Sequence, residues 1–131
     1  MLIQVELHQI IIREMEKEQV IVLKEVDGPR RLPIMIGTNE ALAIDRRLKG
    51  MMAPRPLTHD LLATVIEALG GKLERIEIPR FENHTYFARL LIRHQDKVIE
   101  VDSRPSDAVA IGIGSGVPIF VAAEIMDFAA S

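Results

Sequence analysis

The stretch Val98-Ile99-Glu100-Val101-Asp102-Ser103-Arg104-Pro105-Ser106-Asp107-Ala108-Val109-Ala110-Ile111-Gly112 changes character half-way along. It opens with the apolar side chains of a strand and closes with the small side chains of a packed helix, predicted over 106–113. Between the two, from Asp102 to Asp107, lie two carboxylates, two hydroxyls and a guanidinium at what is predicted to be a helix N-terminus. Gly112 costs about 1 kcal/mol relative to Ala inside a helix, so its presence predicts close backbone approach to another element. An earlier stretch, Pro54-Arg55-Pro56-Leu57-Thr58-His59-Asp60, has the same grammar: an Arg-Pro, then a hydroxyl residue, then an Asp before a hydrophobic helix. The remainder of the chain reads as scaffold for these two helix starts.

That scaffold alternates between strand and helix periods. Ile3, Val5 and Leu7 mark one face of a first strand, and a change of phase to Ile10 and Ile12 predicts a bulge near Gln9. Residues 19–26 are almost continuously aliphatic, as in a strand covered on both faces. After the Asp27-Gly28-Pro29 turn, Leu32, Ile34 and Ile36 line a third strand, which Pro33 pushes toward a sheet edge or a bulge. Thr38 is the expected N-cap of a first helix with Ala41, Ile44 and Leu48 as its buried stripe, ended by Gly50. Glu40 shares that stripe, and the dipole at the helix start accounts for an acid there. Residues 51–57 read as a loop stiffened by Pro54 and Pro56. Thr58 is expected to cap a second helix whose stripe of Leu61, Leu62, Val65, Ile66 and Leu69 fits the 3.6-residue period. Strand patterns return at Ile76 and Ile78, up to Pro79, and from Tyr86 to Ile92. A hairpin turn at residues 94–97 follows. A short strand at 118–121 and a helical piece at 122–130 complete a single α+β domain over 1–131, a mixed or antiparallel sheet with about three to four helices.

Bulk composition narrows the function. At 131 residues and 48% hydrophobic content, the chain can bury a core without staples. No cysteine is present, so disulfides, thiolate metal sites and cysteine nucleophiles are excluded. Neither a signal peptide nor a membrane span is visible, which sets the expectation of a cytoplasmic protein without membrane partners. Net charge is −3 and aromatic content 4%. The first gives no global attraction to nucleic acid, and the second leaves few platforms for base stacking. Arg46, Arg47, Lys49 and Arg55 form a local basic run, read as a solvated helix face in preference to a phosphate patch.

Capping accounts for much of the two polar motifs. Thr58 and Ser103 or Ser106 can accept from orphan N–H groups, Asp60 and Asp107 suit the helix dipole, and Pro105 is pre-set for a first turn. Arg55, Arg104 and His59 are left unexplained, because cations are disfavoured at a helix N-terminus. One reading of that surplus is a structural lock, with Arg104 paired to Asp60 or Asp102. The other is an anion site in which N–H groups and guanidinium converge on one oxyanion. In the latter, Asp60, Asp102 and Asp107 offer hard oxygen ligands for Mg²⁺ or Mn²⁺, with Glu40 a further candidate, and His59 serves as general acid or base.

Taken together, Leu32-Pro33-Ile34-Met35-Ile36-Gly37, Glu40-Ala41-Leu42-Ala43-Ile44, Pro54–Leu62 and Asp102–Ala108 resemble the bifunctional nuclease domain family, in the family's order and over nearly the whole chain. The resemblance implies a compact α+β domain that tends to dimerise and, by relation to plant members, nuclease activity on DNA and RNA. Its matched positions are Glu40, Arg55, Thr58, His59, Asp60, Asp102, Arg104, Ser106 and Asp107. Near Gly114 the family usually carries an Arg, and glycine here weakens the expected hold on phosphate. The resulting expectation is a metal-assisted nuclease. His59, Asp60, Asp102 and Asp107 are catalytic, while Arg55, Arg104, Thr58 and Ser106 hold phosphate. Asp60, Asp102, Asp107 and Glu40 hold the metal, and no organic cofactor is needed. The rival readings are a non-catalytic module that binds anions or nucleic acid, and a structural dimerisation domain.

Overall fold

Two antiparallel three-stranded blocks are joined by a single strand from near the C-terminus. The computed structural model describes residues 1–51 and 53–131. The first block holds β1 (Leu2–Ile11), β2 (Glu18–Glu25) and β3 (Arg31–Gly37). The second holds β4 (Lys72–Glu82), β5 (Thr85–His94) and β6 (Lys97–Ser103). β7 (Ile119–Ala122) lies between them, antiparallel to β1 and parallel to β4, so the sheet order is β3-β2-β1-β7-β4-β5-β6. With α1 (Thr38–Leu48), α2 (Thr58–Ala68), α3 (Pro105–Gly112) and α4 (Ala123–Ala129), the architecture is α+β on one mixed seven-stranded sheet.

Local chemistry explains most boundaries. The β1–β2 register shifts between Leu7 and Gln9, which is the bulge that the change of hydrophobic phase predicts. β3 is an edge strand, where the missing N–H of Pro33 is tolerated. Both tight hairpins of the second block turn on two residues with positive φ, Asn83-His84 and Gln95-Asp96, as a type I′ turn requires. Pro79 does not end β4 as the sequence suggests. The strand continues to Glu82 because the proline falls within an irregularity between Glu77 and Arg80, where no ladder bond is lost.

The buried side chains form one cluster, in which Ile21, Leu23, Leu32, Ile44, Ile76 and Ile78 are fully enclosed. Each such aliphatic side chain contributes about 1.5–3 kcal/mol by leaving water. Helix α3 runs through the middle of this cluster and touches α1, α2, β4 and β5. Its small residues are needed there. A Cβ on Gly112 would stand 2.7 Å from the Ile76 side chain, which is the close approach that the glycine predicts.

Three further expectations fail. Thr38 is not an N-cap: Gly37 takes that position, and the Thr38 hydroxyl donates instead to the Lys17 carbonyl at 3.1 Å. It also accepts from the buried Gln19 amide at 3.2 Å, so it braces the β1–β2 turn. Leu48 is 55% exposed, since α1 has already turned away from the sheet at its last residue. The stripe of α2 is also largely uncovered, with Leu61, Leu62, Val65 and Leu69 between 41% and 72% exposed. Only Ala63 and Ile66 of that helix pack on the core. The expected loop over residues 51–57 connects α1 and α2, and Met52 within it lies outside the described residues.

Candidate active site

Three helices begin around one cleft of about 690 Å³. Chain connectivity brings this about: β3 feeds α1, the proline-rich connection feeds α2, and β6 feeds α3. Glu40 stands in the first turn of α1, His59 in that of α2, and Asp107 in that of α3. All three line the cleft, together with Arg46, Thr58, Asp102 and Arg104.

Asp107 is the hub. His59 Nε2–H donates to its Oδ1 at 2.9 Å, and Arg104 Nε–H donates to its Oδ2 at 2.9 Å. Partial burial pushes the Asp107 carboxyl up, but the bonds from His59 and Arg104 outweigh this and hold it below the ordinary aspartate range. An ionised carboxylate only accepts, so Nε2 carries the His59 proton and Nδ1 is left as the nitrogen open to proton exchange. His59 is 15% exposed, so the ring is fixed in place yet reachable. Arg104 is 64% exposed and extends a second, longer contact of 3.5 Å to Glu40 Oε1. Its guanidinium is raised further above its usual range, mainly by Asp107 and then by Glu40.

Asp60 does not join this hub. It faces a neighbouring cavity of about 580 Å³, where Arg47 Nη1 donates to its Oδ1 and the Leu57 N–H donates to Oδ2 at 3.2 Å. Burial raises the Asp60 carboxyl, and the Arg47 and Leu57 donors lower it by more. Arg47 also donates from Nη2 to the Ile111 carbonyl at 3.1 Å and is 14% exposed, so it ties α1 to the start of α2 and the end of α3. The guanidinium lies against Gly114, where an added Cβ would stand 3.1 Å from Nη2.

These placements revise several expectations. Thr58 is the first residue of α2 and Leu57 the N-cap; Asp60 does the capping by accepting from the Leu57 N–H. Arg104, not Ser103 or Ser106, is the N-cap residue of α3 and makes no side-chain cap bond. The Ser103 hydroxyl donates to the Arg104 carbonyl, and Ser106 is buried behind Arg104. The two helix starts are indeed locked, but by His59–Asp107 rather than by Arg104 with Asp60 or Asp102. Nor is the basic run a uniformly solvated face: Arg47 is enclosed, Arg46 borders the cleft, and only Lys49 and Arg55 are well exposed. The signal missed was spacing. Glu40, Ala43 and Arg46 recur every three residues and so face the same cleft. Arg55 is exposed in the loop and borders neither cavity. Asp102 sits exposed at the rim on β6, opposite Arg89, which is engaged by Glu77 at 2.6 Å.

Among the described residues no three acidic or histidine side chains gather at metal-ligating geometry. Both oxygens of Asp107 and both of Asp60 already accept hydrogen bonds, the two groups face different cavities, and Glu40 is within reach of Arg104. As arranged, the carboxylates are compensated by arginine and histidine and do not form a ready-made cage for Mg²⁺ or Mn²⁺.

Residues 21–131 match the model of the bifunctional nuclease domain. The chain belongs to this family. Within the bifunctional nuclease domain family it is 43% identical over 110 residues to an uncharacterized protein of Mycobacterium tuberculosis (strain H37Rv), a match covering 84% of this chain and 65% of the relative. It is 28% identical over 114 residues to bifunctional nuclease 1 of Oryza sativa subsp. japonica, over 84% of this chain and 34% of that protein. Bifunctional nuclease 2 of Arabidopsis thaliana is 29% identical over 105 residues, again matching only 32% of its own length. The match thus spans about two thirds of the mycobacterial relative and a third of the plant nucleases. Among the described residues, no helix is long and apolar enough to cross a membrane.

Proposed function

We propose that the cleft hydrolyses phosphodiester bonds of nucleic acid. The observation that carries this reading is the His59–Asp107 pair at 2.9 Å, with Arg104 sharing the same carboxylate at the mouth of the cleft. Asp107 orients the imidazole and stabilises the imidazolium that forms when His59 Nδ1 accepts a proton from the attacking water. Arg104 and Arg46 neutralise charge on the phosphate. Arg104 is suited to the task because its exposed guanidinium spends Nε on Asp107 and holds Glu40 from Nη1 only at 3.5 Å, a long contact that an oxyanion can displace. No step here is routed through a metal ion. Mg²⁺ or Mn²⁺ would have to take its oxygens from Glu40, Asp102 and Asp107 in competition with Arg104.

The test is cleavage of single-stranded DNA, duplex DNA and RNA by purified protein in Mg²⁺, Mn²⁺ or EDTA. His59→Gln is expected to lower the rate by about 10²–10⁴-fold, the usual worth of a general base, and Asp107→Asn by a comparable factor. Equal cleavage by either variant and the parent removes the site assignment. A highly purified parent that never cleaves removes the enzyme reading and leaves a binding module.

We also infer self-association. Leu57, Leu61, Leu62, Val65 and Leu69 at α2, and Ile99 and Val101 on β6, are all between 39% and 72% exposed. Exposed apolar side chains concentrated on one helix are what a partner surface covers. β6 is an edge strand whose outer backbone groups can pair with a second copy.

A further inference from the structure

Three of the chain's five aromatic residues are gathered at one place. Phe81 and Tyr86 lie beside the β4–β5 turn, and Phe128 leans in from α4. Phe81 is the centre of the group: its ring lies 4.4 Å from Tyr86 and 6.1 Å from Phe128, both tilted, and meets His84 edge-on at 6.4 Å. Packing of the core explains Phe81 and Tyr86, which are partly buried against it. It does not explain Phe128, which is 77% exposed at the outer end of the stack, nor the exposed His84. Phe87 is on the other side of the hairpin, with Arg80 4.3 Å over its ring, and stands apart from the group. The group is also connected to the cleft. A depression of about 270 Å³ has Arg104 and Ser106 on one wall and His84, Thr85 and Tyr86 on the other.

We propose that this aromatic group is a stacking platform for the unpaired bases of a single-stranded nucleic acid whose phosphate is held at Arg104. The proposal rests on the nucleic-acid reading of the cleft and adds the strandedness of its substrate. Bases held in a duplex cannot reach an aromatic face beyond the cleft mouth, whereas a flexible single strand can leave Arg104, pass Tyr86 and set a base on Phe128. Charge near the platform is mixed: Glu18 borders the depression, Glu82 lies 3.9 Å from Arg80, and Glu124 flanks Phe128. Affinity there therefore comes from the base faces and falls only weakly with salt, unlike binding by a basic patch.

The probe is a fluorescein-labelled oligothymidylate, compared in EDTA with an abasic oligomer of equal length and charge and with a duplex. Fluorescence anisotropy of the parent is expected to show at least about 10-fold tighter binding of the base-bearing single strand, the equivalent of one stacked base. Phe128→Ala should abolish that preference, and Phe128→Trp should restore it. The melting temperature of Phe128→Ala should stay within a few degrees of the parent, because the ring is already in solvent. Equal affinity for abasic and base-bearing oligomers, or unchanged preference in Phe128→Ala, overturns the platform. So does an absence of binding. Cleavage by the parent, measured separately with metal, distinguishes the outcomes: cleavage without base preference leaves the hydrolytic reading standing and removes only the platform.

Discussion

Replacing Arg47 by methionine keeps the aliphatic stem and removes the guanidinium that joins three helices. Two bonds with a charged partner disappear, to Asp60 and to the Ile111 carbonyl, each worth roughly 1.5–3 kcal/mol where water is excluded. Two effects reduce the loss. Asp60 is 30% exposed and can rehydrate, and Arg47 Nε is buried in the parent without an acceptor among the described residues, a cost of about 1–3 kcal/mol that the variant escapes. The expected net destabilisation is about 1–3 kcal/mol, or a fall in Tm of roughly 4–12 °C for a chain of this size. Urea unfolding of Arg47→Met, Asp60→Asn and the double variant should give a coupling of about 1–2 kcal/mol at pH 7. The pH dependence follows from the lowered Asp60 carboxyl. Its stabilising contribution is fully present above the unfolded aspartate value of about 3.9 and is lost as pH falls through the lower folded value. Coupling should therefore fade as pH falls below the unfolded aspartate range, in whatever fraction remains folded. A coupling below about 0.3 kcal/mol at pH 7, or one that does not fade in acid, refutes the reasoning.

Two further outcomes follow from the same kind of accounting. Glu77, 1% exposed in the sheet, accepts from Arg75 at 2.6 Å and from Arg89 at 2.6 Å. Glu77→Ala should cost about 2–3 kcal/mol in urea unfolding, less than a fully enclosed pair because both arginines can turn to solvent; a loss under about 1 kcal/mol contradicts the burial argument. Leu62→Glu with Val65→Glu should convert a dimer to a monomer in sedimentation velocity with little change in Tm, since both side chains are already more than two-fifths exposed. A parent that sediments as a monomer at micromolar concentration ends the self-association reading.

What could be read from the residues was mostly what depends on near neighbours. The bulge after Leu7, the edge position of β3 and the close approach at Gly112 each follow from one residue's backbone or volume. The motif around Asp102–Asp107 led to the cleft where three helices begin because a strand-to-helix junction carries its polar residues with it. Pairings between distant segments were not legible. Nothing local shows that Arg47 meets Asp60, thirteen positions on and in another helix, or that Glu77 is flanked by Arg89 from the next strand. The α2 stripe shows a further limit: its 3.6-residue period reports an apolar face correctly and is silent on whether the chain's own core covers it. The hydroxyls of Thr38 and Thr58 misled because each lies one residue inside its helix, where a side chain no longer reaches the orphan N–H groups.

The place of β7 has a consequence for biosynthesis. Six strands are made as two sets of neighbouring hairpins, each able to zip locally as it leaves the ribosome. Until residues 119–122 emerge, the β1 and β4 edges that will flank them have no partner, and each offers a ladder to any passing chain. The nascent protein is most open to aggregation, and most in need of chaperone shelter, between the emergence of β4 and that of β7. Insertion of one four-residue strand then closes both edges at once.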